Sequence, residues 1–219
     1  MFPDDLPETP GSPLAEHPHL LRGMAAIALA GSAIFAVAIL MADFVVQHHD
    51  WIADMISDLG AGRYEFIVDI GIYAYSAALL ACAVGSAHAH LGGKGWSAGL
   101  YGLIFTALVV FLVGARNEYG DADRDGTVIH VYLVYALGVA FAVIPWCMSA
   151  GAGAGAIDRR LGLVSKAVTV LWVPMAPLFF FLPDGWDGLY ERILGLITAA
   201  FVVAIALALL GRARAIDRS

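Results

Sequence analysis

The sequence predicts an all-α, polytopic membrane protein with six transmembrane helices and cytoplasmic termini, and three observations predict it. Of 219 residues, 60% are apolar and only 14% charged, whereas ordinary soluble domains carry roughly 25% charged residues. Mean hydropathy is +0.78. The apolar residues also fall into six stretches separated by short polar segments, and a hydrocarbon core of about 30 Å takes roughly 20 helical residues to cross.

The six predicted spans are Gly23–Val46, Phe66–Ala87, Trp96–Ala115, Val128–Met148, Leu161–Leu182 and Leu189–Leu210. Pro145, Pro174 and Pro177 fall inside the fourth and fifth. Prolines at membrane depth are tolerated where neighbouring helices re-satisfy the freed carbonyls. Gly and Ala recur throughout the spans and permit close helix approach. The chain therefore divides into an acidic, Pro-rich disordered or extended tail over residues 1–22, a six-helix domain over 23–211 and a basic tail over 212–219. The N-terminal tail lacks the basic start and small-residue cleavage site of a signal peptide.

Six spans put both termini on one side. That side carries eight basic residues (Arg22, Lys94, Arg159, Arg160, Lys166, Arg212, Arg214 and Arg218), and the other carries four (Arg63, Arg116, Arg124 and Arg192). The bias places the termini in the cytoplasm by the positive-inside rule. Thirteen of the nineteen carboxylates, from Asp43 to Glu191, fall at or near the outer face. Acidic residues contribute little to topology, so this excess asks for another cause. The formal net charge of −7 argues against nucleic acid as a partner, which needs a basic face. Cys82 and Cys147 lie in different spans, which argues against a disulfide framework or a cysteine-rich metal site.

Candidate chemistry gathers in three outer loops. In the first, Trp51, Ile52, Met55, Ile56 and Leu59 repeat at helical spacing, with Asp50, Asp54, Ser57 and Asp58 mainly opposite and Gly60 placed to end the helix. This pattern predicts a short amphipathic helix at the interface. The second loop holds Asp121, Asp123, Asp125, Gly126 and Thr127. The spacing matches the opening of an EF-hand loop, in which alternate carboxylates converge on one calcium ion and Gly permits the turn. Position 12 is Tyr132 rather than the bidentate Glu, so the expected ligands are Asp121, Asp123, Asp125 and the carbonyl of Thr127. A further carboxylate would come from Glu118, Asp184, Asp187 or Glu191. The bland alternative is a solvated acidic turn.

His130 opens the fourth span, and His48 and His49 close the first. Asp43 lies about one turn inside its helix, where it should face the bundle and pair with a basic residue or a Tyr. Asp43, His48, Glu191 and Arg192 together form a candidate ligand or structural polar site. Arg192 should turn inward toward Asp58, Glu65 or Asp69. His88 and His90 near the inner end of the second span have no histidine partner at inner depth on another span, so haem is not expected.

Three short elements resemble the domain-of-unknown-function 998 family. They are Ile56-Ser57-Asp58-Leu59-Gly60, the His130 that opens the fourth helix, and Gly188-Leu189-Tyr190-Glu191-Arg192 at the start of the sixth. The resemblance runs from about Gly23 to Leu210. It departs from the family's pattern in the second outer loop, where an acidic Asp-Ala-Asp-Arg-Asp-Gly run replaces a Phe-Pro-Asp-like stretch before the His. The resemblance implies a six-span protein of a prokaryotic cell membrane, multi-pass in the inner membrane, and no established activity.

Two functions of different class remain open. The first is a membrane binding or accessory protein whose acidic, calcium-clamped outer face holds a lipid, a pigment or a partner subunit of a larger membrane complex. The second is a lipid hydrolase at the outer leaflet with Ser57 as nucleophile, His130 as base and Asp58 as orienting acid, or with the cation as Lewis acid. A transporter fits less well, because the spans hold almost no charge for a midplane site. The basic bias makes one firm topological prediction. A reporter fused after Ser219 reads cytoplasmic and one inserted near Gly120 reads external; the reverse pattern overturns the orientation.

Overall fold

The computed structural model describes residues 16–89, 95–116, 129–152, 159–183 and 185–218. Among them the chain is all-helical. In order come α1 (Pro18–Val45), the one-turn α2 (Ile56–Leu59), α3 (Glu65–His88), α4 (Trp96–Ala115), α5 (His130–Ala152), α6 (Arg159–Leu178) with a 3-10 turn at Phe179–Phe181, and α7 (Asp187–Ile216). Six of these, all but α2, are long and apolar enough to cross a membrane. Their outward side chains agree with a lipid solvent: Phe44 is 89% exposed and Leu196 70%, surface that water would make costly.

The helices form a closed ring. α1 packs on α3, α3 on α4, α4 on α5, α5 on α6, α6 on α7 and α7 back on α1, with α3 also reaching α7. Small residues set the closest approach. Gly31 of α1 lies against the Ala74 carbonyl and Ala78 of α3, and Gly71 of α3 against Phe35 and Ala38, so a Cβ at either glycine would collide. Gly99 and Gly102 of α4 receive Met148 and Ile144 of α5 in the same way. Without a hydrophobic drive between helices in lipid, such van der Waals fit is the main source of association.

The ends differ from expectation in two places. α1 begins at Pro18, not Gly23, because Glu16 takes two hydrogen bonds from Arg212 at 2.6 and 2.8 Å and Arg22 pairs with Asp217. These contacts join the end of α7 to the start of α1, so residues 16–22 are not a loose tail and α7 runs on to Ile216. The start of α1 and the end of α7 thus share one end of the bundle, here the proximal end; the opposite end is distal.

Packing is uneven along the ring. The proximal half is dense, with Leu21, Leu79, Leu103, Met148, Phe201 and Leu209 fully buried. In α5, no residue from His130 to Val139 is buried, and in α6 none after Trp172. The two helices meet where Trp172 Nε1 donates to the Gly138 carbonyl at 2.8 Å and the Trp172 ring meets Phe141 at 5.3 Å between centroids; further distal, the Tyr135 ring meets Phe180 at 5.3 Å. Distal to Gly138 and Trp172 neither helix buries a residue, and α6 gives up α-helical bonding just after Pro174 and Pro177.

Candidate functional site

The distal end is organised by one guanidinium. Arg192 sits in the second turn of α7, with its side chain 11% exposed. Its Nη2 donates to Asp43 of α1 at 2.5 Å and lies 3.2 Å from His49 Nε2. Its Nη1 donates to the carbonyls of Asp54 at 3.1 Å and Gly188 at 2.9 Å. His49 in turn lies 3.2 Å from Asp43 and 3.7 Å from Asp54, and the Trp51 ring faces the guanidinium at 6.0 Å. A charge taken out of water must be paired and hydrogen-bonded, and here one cation ties α1, the following loop and α7 together.

The loop between α1 and α3 is held by backbone N–H groups that find carboxylates. Asp50 accepts from Ile52 and Ala53, Asp54 from Asp50, and Asp58 from Met55 at 2.8 Å. Glu191 of α7 accepts from the Ile56 N–H at 2.6 Å, and the Leu189 N–H donates to the Ile52 carbonyl at 3.0 Å. Gly188 fits because it has no Cβ: one built there would overlap the Asp54 carbonyl. These local side-chain bonds compete with helix formation. The amphipathic helix expected from Trp51 onward is accordingly reduced to the single turn Ile56–Leu59, interrupted by extended backbone at Met55.

Two sequence assignments change. The partner of Arg192 is Asp43 rather than Asp58, Glu65 or Asp69, since Asp58 caps α2. The histidine in the cluster is His49, not His48. α1 ends at Val45, and His48 takes a left-handed turn at φ 63° that leaves it exposed, so helical spacing no longer predicts which side chain points inward.

Beside this cluster lies a cavity of about 970 Å³ between α3, α5, α6 and α7. Ser57, Asp69, His130 and Glu191 contribute the polar side chains near its distal end, and no lysine or arginine lines it among the described residues. Its walls are apolar, from Val134 and Gly138 on α5 to Ala176 on α6 and Phe180 beyond it. Tyr75, Phe141, Trp172 and Thr198 line its deep end. The residues of α5 and α6 that border it, Tyr135, Val139, Val173 and Phe181, are also exposed on the bundle surface, so it adjoins the lipid.

Ser57 and His130 line one cavity, but Asp58 is turned to its cap. The group at His130 Nδ1 is the Arg116 carbonyl, 3.0 Å away. A neutral carbonyl orients the ring but stabilises an imidazolium far less than a buried carboxylate does. The loop Asp121–Thr127, with Glu118 and Asp184, lies outside the described residues. Among the described residues no group of three or more His, Cys, Asp or Glu side chains is placed to hold a metal. His88 Nε2 accepts from the His17 N–H at 2.7 Å, with the two rings stacked, while His90 is outside the described residues.

Fold and cavity define a multi-pass membrane protein of six apolar helices ringed around a distal, lipid-side pocket. The chain belongs to the DUF998 family, described as a protein of unknown function, whose model matches residues 29–208. No curated protein and no solved structure matches it.

The clamp generates a stability prediction. Breaking a buried pair leaves an uncompensated charge and costs about 3–5 kcal/mol. Arg192→Ala should therefore lower the detergent melting temperature far more than Arg63→Ala at an exposed site. Arg192→Lys should restore only part of the loss, since an ammonium cannot reach a carboxylate and two carbonyls in one planar fork. Equal losses for the two alanine variants would remove the clamp from the account.

Proposed function

We propose that this chain is an integral membrane binding or accessory protein whose distal cavity holds one membrane amphiphile. The apolar chain lies between α5, α6 and α7. The head group, neutral and rich in hydroxyls or cationic, sits at Ser57, Asp69, His130 and Glu191. The observation that carries the reading is the cavity's polarity: apolar walls beside the lipid, two carboxylates near the distal end and no basic residue in the lining. Carboxylates desolvated beside an anionic head repel it, whereas hydroxyl and ammonium groups give charge-assisted hydrogen bonds. Binding cavities are typically apolar with a few placed polar groups, and this one matches that description. The hydrolase reading is second, because it needs a carboxylate behind His130, where a carbonyl stands.

The test uses native mass spectrometry of purified protein given monooleoylglycerol or oleoyl lysophosphatidic acid. The neutral lipid should be retained and the anionic one not. Val134→Phe with Ala176→Phe, which fills the cavity, should cut retention at least about tenfold, as a displaced ligand loses most of its contact area, with the melting temperature held or raised. Equal retention of both lipids, or retention by the filled variant, sinks the reading.

Calcium binding by Asp121, Asp123, Asp125 and Thr127 is a separate proposal supported by residue spacing. Extracellular calcium modules work at about 0.1–1 mM. Millimolar calcium should raise the melting temperature by mass action, and Asp123→Asn with Asp125→Asn should abolish the rise. No rise in the wild type makes the loop a solvated turn.

A further inference from the structure

Five side chains among the described residues bury a polar atom with no hydrogen bond: Tyr75, Ser86, Trp96, Ser165 and Arg192. Only Tyr75 lines the cavity. It is 5% exposed, and its ring stacks on Phe35 at 5.0 Å between centroids, which fixes where the hydroxyl lies. Thr198 is its polar neighbour; the Thr198 hydroxyl gives its proton to the Gly195 carbonyl at 2.9 Å and could only accept from Tyr75, but the Tyr75 hydroxyl lies outside hydrogen-bond geometry with it. Buried hydroxyls are nearly always bonded, and one that is not asks for a missing partner. The surroundings there are apolar, which makes the unmade bond costly.

We infer that Tyr75 is the specificity-determining residue of the cavity, and that its hydroxyl donates to a ketone- or ether-type oxygen on the occupant's apolar part. The inference rests on the amphiphile reading given above and narrows it to an oxygenated lipid or terpenoid. Asp69 and Tyr75 both line the cavity from α3, six residues apart. At 1.5 Å per residue that is roughly 9 Å along the helix. The ligand's second oxygen thus lies about that far below its head group. A plain saturated chain would fill the space and leave the Tyr75 hydroxyl unbonded.

The experiment compares monostearoylglycerol with a positional series of its oxo derivatives, the ketone moved stepwise along the chain, by competition in native mass spectrometry. One position should bind about five- to tenfold better than the parent, the worth of one net hydrogen bond. Tyr75→Phe keeps the ring and its stack but has no hydroxyl, so within that variant the ratio of the best ketone to the parent should fall to about one. Thr198→Val should keep the preference. A flat series on wild-type protein that still binds the parent overturns the Tyr75 inference and leaves the amphiphile reading standing. Binding of no member at all overturns the amphiphile reading itself. A preference lost in Thr198→Val but kept in Tyr75→Phe assigns the contact to Thr198 and overturns the role of Tyr75.

Discussion

The fold's distal end depends on one buried ion pair, Arg192 with Asp43. An arginine this enclosed is stable only if nearly every donor is used, and four of its acceptors or neighbours come from three separate chain segments. The pair therefore does more than join α1 to α7. It requires the His49–Gly60 loop to fold down onto the α7 N-terminus, with Gly188 small enough to let the Asp54 carbonyl in. One side of the ring is closed by this constraint. On the other side, the described residues of α5 and α6 beyond Trp172 are held by weaker ties: the Tyr135 ring against Phe180 at 5.3 Å between centroids, and the Tyr190 hydroxyl of α7 that donates to the Met175 carbonyl at 3.0 Å. The cavity lies in the half of the bundle that the clamp does not pull shut.

The loop also accounts for much of the acidic excess on the distal face. Irregular backbone near a membrane must find partners for its N–H groups, because lipid offers none. Asp50, Asp54, Asp58 and Glu191 each accept a backbone N–H, and Asp43 takes the guanidinium. Carboxylates suit this duty: they accept only, and a charged acceptor makes the stronger bond. Five of the acidic residues thus act as structural ligands for the loop and its clamp. Glu191 does both, holding the Ile56 N–H and lining the cavity, while Asp69 lines the cavity without belonging to that set.

The six spans were legible because length and hydropathy alone decide them; α4 runs over the same residues that the apolar pattern marks, Trp96–Ala115. An inward Arg192 was legible too, since a cation one turn inside a span has few other places to go. Its partner was legible only in part: the position of Asp43 predicts a pairing with a basic residue or a Tyr within the same polar site, but Arg192 itself was directed to Asp58, Glu65 or Asp69. Asp43 is 149 residues away, and a choice among several carboxylates depends on which of them local backbone caps have already taken. His48 and His49 were indistinguishable for a related reason: a single left-handed residue after α1 reverses which neighbour faces in. The cavity left only faint traces, chiefly the two prolines near the end of α6, and nothing in spacing could show that α5 and α6 part company beyond Gly138.

That parting carries a physical implication. A ring of helices in lipid has no hydrophobic force driving it to close, so the distal halves of α5 and α6 lose less by standing apart than they would in water. What holds the gap at a definite size is geometry at its two ends: the Trp172–Gly138 contact at depth and the Tyr135–Phe180 ring contact near the distal end. Between those points the walls are apolar and the enclosed polar atoms few. On the amphiphile proposal a lipid chain fills this space, and the deep lining discriminates among chains. Thr198 satisfies its proton within its own helix, while Tyr75 does not find a bond. On that proposal the two ends of the cavity divide the discrimination: Asp69 and Glu191 meet the head group, and a phenol set below them in an otherwise apolar wall meets the chain.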